Sequence, residues 1–253
     1  MNFKTNMTTS TLLAAGFSLL AGSAAAQTCV ANNCATLGFT KSEDNCEGDI
    51  IRCPFDTSKV FCKEKKVYAP KPGDILYSDG TISDSVIASK TPVGIVAYVN
   101  GSNGFAVSLT EVSKTWSSGY EDVSCLTNYS SSSKAMTDMN GKNNTMCLVN
   151  YSGSYSYPAA EYCNTFSAVS NGKGSSGWYL PAAGELYSMS FSYGAINLGL
   201  QKLSKTQISS NYYWSSSEYA NLGGAWNVRP SDGYMGGSLT KNVSRPVRCV
   251  LAL

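Results

Sequence analysis

No histidine occurs at any of the 253 positions of this chain. Without an imidazole there is no Ser-His-Asp or Cys-His nucleophile and no His-ligated zinc. Long apolar runs are lacking as well. The most apolar stretch, Leu12 to Gly22, is shorter than the roughly 20 residues a membrane-spanning helix needs. Charge is sparse and balanced, at 14% of residues with a formal net of +2. No basic run or overall field therefore favours nucleic acid as a partner. The chain also contains no C-x2-C pair with which a zinc knuckle would begin.

What is present begins with an export pattern. Lys4 supplies a weakly positive start, Leu12 to Gly22 the apolar segment, and Ala24-Ala25-Ala26 a small-residue cleavage site before Gln27, so residues 1–26 read as a signal peptide. A prepilin reading of Gly16-Phe17-Ser18-Leu19-Leu20 is weaker, because Ala21 stands where pilins keep a glutamate. Lipidation at Cys29 is weaker too, since Ala26-Gln27-Thr28 is no lipobox. The expected product is secreted, periplasmic or on a bacterial cell surface, and not membrane-spanning once the signal is removed.

The chain has nine cysteines, a number that fits an oxidising compartment. Cys29, Cys34, Cys46, Cys53 and Cys62 crowd one segment, while Cys125, Cys147, Cys163 and Cys249 are dispersed. Residues 27–66 hold few large aliphatic side chains, so disulfides are the expected staple of a small module. Lys63-Glu64-Lys65-Lys66 reads as its linker. Because nine is odd, at least one cysteine is free, bonded to another chain or linked elsewhere. Cys125 and Cys147 could close a loop of about 20 residues.

Past the linker, Gly73 to Thr81 contains an Asp-Gly turn, and Thr91–Val99 and Gly104–Leu109 flank Asn100-Gly101, which together predict a meander of strands. Pro158 announces a helix with Ala159, Ala160, Cys163 and Phe166 on one face. A second helix is predicted from about Pro181 with Leu186 and Met189 buried, and a third piece with Ile196, Leu200 and Leu203 together. Ser130 to Ser133 reads as a mobile loop. Tyr212 to Leu253 reads as three or four antiparallel strands, with Pro246 at an edge or strand start.

Four aromatic motifs stand in order along the last hundred residues: Gly177-Trp178-Tyr179-Leu180-Pro181, Tyr213-Trp214-Ser215-Ser216-Ser217-Glu218-Tyr219, Ala225-Trp226-Asn227-Val228 and Val247-Arg248-Cys249-Val250. With the earlier strand signals they resemble the Lcl C-terminal domain family, which is related in fold to C-type lectins and formylglycine-generating enzymes. The resemblance implies an α+β, C-type-lectin-like domain over residues 67–253, with two or three helices packed on antiparallel strands. It also implies a helix-to-strand disulfide between Cys163 and Cys249. The enzymes' copper-binding cysteine pair has no match in this domain, and the lectins' EPN, QPD and WND calcium motifs are absent. Asp138-Met139-Asn140-Gly141-Lys142 lacks the final carboxylate of a calcium loop and reads as an Asx turn. No metal and no cofactor are expected.

Glu161, Glu185, Glu218 and Asp232 lie in no spacing that pairs two carboxylates, so no catalytic residue is assigned. Trp178 and Trp214 are expected in the core. Tyr219, Trp226, Arg229 and Tyr234 lie near Gly-rich loops and are the ligand-binding candidates, with Arg229 or Lys241 available to a sulfate or carboxylate. Arg248 is expected in a structural salt bridge, with Glu218 as the candidate partner. The functional expectation is an exported binding or adhesion protein that recognises a glycan or surface protein. The alternative is a structural envelope or surface-assembly subunit crosslinked through its cysteine-rich module. Oligomeric state stays open.

Overall fold

A computed structural model describes residues 49–53, 56–63, 68–220 and 223–253. The expected signal peptide and Cys29, Cys34 and Cys46 lie outside the described residues. The chain divides into two compact units, Met1–Val67 and Tyr68–Leu253. In the first, β1 (Asp49–Cys53) and β2 (Asp56–Lys63) form an antiparallel hairpin in which Ile50 faces Cys62 and Arg52 faces Val60. Lys63, expected to begin the linker, is instead the last residue of β2.

The second unit is mixed α+β. Its larger sheet has the order β4-β3-β5-β6-β14-β9. These strands are β3 (Ile75–Tyr77), β4 (Ile82–Ser83), β5 (Pro92–Asn100), β6 (Asn103–Ser108), β9 (Trp178–Tyr179) and β14 (Val250–Ala252). The β5–β6 hairpin turns at Gly101, whose φ of 61° is the left-handed value that favours glycine. This sheet is buried on both faces. Ile75, Tyr77, Ile95 and Val107 enter one hydrophobic cluster, while Leu76, Val93 and Ala106 enter another. A two-residue period that divides its apolar side chains between two cores produces near-continuous apolar runs such as Val93 to Ala97.

A smaller sheet has the order β12-β11-β10-β8. β10 (Tyr213–Tyr219), β11 (Gly224–Arg229) and β12 (Tyr234–Thr240) are antiparallel, and β8 (Asn128–Tyr129) adds to β10 in parallel. A separate pair joins β7 (Val112–Thr115) to β13 (Ser244–Val247), leaving Pro246 in a two-stranded ribbon where a missing N–H is tolerated.

Five helices occur among the described residues, against the two or three expected. They are α1 (Ser132–Ala135), α2 (Gly141–Asn150), α3 (Pro158–Thr165), α4 (Ala183–Ser190) and α5 (Tyr193–Lys202). The two that periodicity missed are held by local chemistry. Ser131, expected in a mobile loop, caps α1 by accepting the Lys134 N–H. The Asx turn at Asp138 does form, with Oδ1 accepting the Asn140 N–H at 3.0 Å, but it serves to launch α2. Only Gly141, Thr145 and Leu148 of α2 are buried, and Cys147 ties the helix to Cys125. A stripe that narrow in a polar ten-residue segment leaves little apolar signal to read.

The second disulfide joins Cys163 on α3 to Cys249 just before β14, across a sequence separation of 86. All four tryptophans donate their indole N–H to a backbone carbonyl: Trp116 to Ser215, Trp178 to Gly174, Trp214 to Val243 and Trp226 to Tyr129. Each ring therefore fixes a chain crossing as well as filling the core.

Candidate functional site

The acidic residues separate first. Glu185 sits in the first turn of α4, where its Oε2 accepts the Ala182 N–H at 2.8 Å and its Oε1 accepts the Tyr179 hydroxyl at 3.0 Å. Burial pushes its carboxyl up to about 7 against those two hydrogen bonds. Asp138 accepts from the Ser217 hydroxyl at 2.6 Å and from Asn144 at 2.9 Å. Both carboxylates anchor helix starts.

Glu218 on β10 and Lys241, just after β12, form a fully buried ion pair. Glu218 also accepts the Val123 N–H, and the Lys241 ammonium lies 4.7 Å from the centroid of the Trp116 ring. Burial raises the Glu218 pKa while Lys241 opposes that rise. Lys241 is thus withdrawn from the anion-binding role expected of it. Arg248 does not meet Glu218 either. Its Nη2 donates to Glu111 Oε2 at 3.1 Å and to the Thr206 carbonyl at 2.9 Å. The register explains this, because Val247 faces Val112 and so brings Arg248 beside Glu111.

Among the four ligand candidates, Trp226 is only 4% exposed. Its ring meets Tyr219 edge-to-face at 5.1 Å, and a Cβ built at Gly237 would lie 2.7 Å from it. Tyr219 is half-buried against the same glycine and Gly224. The glycines here make room for aromatic framework around Trp226. Tyr234 and Arg229 lie elsewhere. Tyr234 is 59% exposed, and Arg229 is held by Asp232 through Nε at 2.9 Å and Nη2 at 2.6 Å.

These two belong to a row that the β-ladder assembles. Tyr213 faces Val228 and Arg229 faces Tyr234, so Tyr212, one residue before β10, stands beside Arg229 and Tyr234 at the ends of β11 and β12. The Arg229 guanidinium lies 5.3 Å from the Tyr212 ring and 5.5 Å from the Tyr234 ring. Arg245 extends the row, stacking 5.4 Å from Tyr212 and 5.6 Å from buried Trp214. Trp214, Arg245 and Tyr212 follow one another, and Tyr212, Arg229 and Tyr234 close a triangle in which the two tyrosine rings also meet edge-to-face at 6.0 Å. Tyr212 and Arg245 were not candidates from sequence. The signal that reaches Tyr212 is its two-residue spacing from Trp214; nothing local to Arg245 reveals its place.

A separate open cleft of about 570 Å³ is lined by Lys71, Gly73, Asp74, Ala195, Leu198 and Lys202, and shares no residue with this row. Its charges are mutually engaged: Lys71 lies 3.9 Å from Asp84, Lys202 donates to the Asp84 carbonyl, and Asp74 accepts the Tyr68 hydroxyl. Among the described residues no group of three or more His, Cys, Asp or Glu side chains could hold a metal ion, and no helix is long and apolar enough to cross a membrane.

No family model and no curated protein matches the chain. Among solved structures it is similar to a fimbrial protein from Bacteroides ovatus ATCC 8483, with a TM-score of 0.58 at 21% identity. The likeness covers 75% of this chain and 50% of that one, so the chain spans about half the length of the protein it resembles. At that identity what is shared is the fold: several helices on curled antiparallel sheets. The Lcl resemblance accordingly narrows to a mixed α+β architecture, with no family model behind it.

Proposed function

We propose that the protein is an exported, non-catalytic bacterial surface protein that acts in adhesion or surface assembly, and that the assembly role is primary. The carrying observation is the fold shared with a fimbrial protein, supported by the export pattern over residues 1–26. The disulfides add to it. Cys125–Cys147 and Cys163–Cys249 use all four cysteines after Val67, which leaves five in the first unit. Five cannot pair completely within one chain. In an oxidising compartment the remaining thiol is suited to a disulfide with another subunit, and the lectin-like unit then serves as a rigid, disulfide-closed scaffold.

Non-reducing electrophoresis of the exported protein tests this directly. A band at twice the monomer mass that collapses on reduction is the expected result, and it should disappear in one of the single Cys→Ser variants at positions 29, 34, 46, 53 or 62. Migration as monomer alone under non-reducing conditions would remove the crosslinking role. A second reading, recognition of a glycan or surface protein, rests on the exposure of Tyr234 beside Arg229.

A further inference from the structure

The row of rings and guanidinium groups carries an uncompensated charge in a fixed place. Arg229 is neutralised by Asp232, which accepts from its Nε and Nη2. Arg245 differs. Its Nε is buried with no hydrogen-bond partner, and no carboxylate among the described residues lies within ion-pair distance of it. Burial pulls its pKa down from the ordinary arginine value, and a guanidinium stays charged in proteins. A half-buried guanidinium held against Trp214 and Tyr212 has lost most of its rotational freedom. Its buried Nε is out of a ligand's reach, but the two Nη groups at its tip are not among the buried unpaired atoms and can meet a carboxylate end-on in the guanidinium plane.

The neighbours of Arg245 define the rest of the ligand. Tyr212 separates it from Arg229, and Tyr234 stands beyond with 59% of its surface exposed. An exposed phenol ring offers an apolar face with a polar tip, which suits the C–H face of a pyranose. Asp232 is half-exposed beside it and can accept sugar hydroxyls. Two guanidinium groups and one carboxylate leave a surplus of one positive charge across the row. That surplus suits one carboxylate seated at Arg245, whereas a second anionic group placed at Arg229 would meet Asp232 with a like charge.

We infer that the face formed by Tyr212, Arg229, Tyr234 and Arg245 binds a carboxylate-bearing glycan, with the carboxylate of a uronic acid on Arg245 and the sugar ring on Tyr234. This rests on the second reading of the previous section and is independent of the crosslinking role. Arg245 is the specificity-determining residue, because it alone distinguishes the acid from its neutral counterpart. Arg229 packs against both tyrosines, whose rings also meet edge-to-face, and so helps to position them.

The test uses the whole exported protein and calorimetric titration with trigalacturonic acid, its methyl ester, neutral galactotriose, a sulfated heparin-derived trisaccharide and an acidic hexapeptide. Expected is saturable binding of the acid, at least tenfold weaker binding of its ester, and weaker binding of the sulfated sugar and the peptide. Arg245→Gln should reduce affinity for the acid at least tenfold and erase the preference over the ester. Tyr234→Ala, at an exposed position that leaves folding intact, should weaken acid and ester alike. Equal binding of acid and ester, preference for the sulfated sugar or peptide, or no binding of any probe overturns the inference. The crosslinking role is read separately by electrophoresis, so either can fail alone.

Discussion

The strands β10, β11 and β12 end in two ion pairs that differ in almost every physical respect. At one end Glu218 and Lys241 are wholly buried beneath Trp116 and the Val123 segment. At the other, Arg229 and Asp232 are open to solvent between two exposed or half-exposed tyrosines. A buried pair has lost its water, so each member depends on the other. A surface pair keeps its hydration and contributes little to folding, but its groups remain available to a ligand. One sheet thus has a closed end that holds the fold and an open end whose charges keep their hydration.

The sharpest way to break that contrast is Lys241→Met, which strands the Glu218 carboxylate in the interior with only the Val123 N–H for company. Removing one partner of such a pair costs about 3–5 kcal/mol. A unit of this size would then melt roughly 10 °C lower. Differential scanning calorimetry checks it. The double variant Lys241→Met with Glu218→Gln should recover part of the loss, since no buried charge remains. If the single variant melts like the native protein, the pair is not closed to water.

Glu185 offers a second probe of the closed interior, through pH. Its folded pKa of about 7 lies above the ordinary value of 4.5. The folded protein therefore binds more protons than the unfolded chain between those values, and stability falls as pH rises across them. The contribution is fully present below pH 4.5 and lost above pH 7, and amounts to about 3 kcal/mol as an upper bound. Urea unfolding at pH 4.5 and 7.5 measures it. Glu185→Gln keeps an acceptor for the Ala182 N–H and should flatten that part of the profile; an unchanged slope would assign it to other groups.

Sequence reveals the closed regions far better than the open end. Ile75, Leu76, Val93 and Ile95 lie in β-prone apolar runs, Pro158 marks α3, and Leu186 and Met189 fall on one helical face. Those signals are local. α2 was missed because a polar helix with three buried residues depends on Cys125 and the Asx turn to hold it. For the proposed face, Gly-rich surroundings pointed to Arg229 and Tyr234 but equally to Trp226, where glycine admits a buried ring. Arg245 and Tyr212 meet only through tertiary structure, more than thirty positions apart. The partners of Lys241 and Arg248 were likewise set by strand register.

Asp232→Asn is the mildest of these changes and the one that speaks to the open end alone. Both members of the Arg229 pair are solvent-exposed, so the melting temperature should move by no more than about 1 °C. Its consequence should appear in binding. With Asp232 neutral, the row would carry two uncompensated guanidinium groups, and the surplus charge would rise from one to two. Affinity for the sulfated trisaccharide should then increase severalfold and fall more steeply with added salt, while trigalacturonic acid gains less because it carries fewer negative charges. Calorimetric titration at two salt concentrations reads both. A large drop in melting temperature would show that Asp232 holds the β11–β12 turn, and that the open end of the sheet is part of the framework after all.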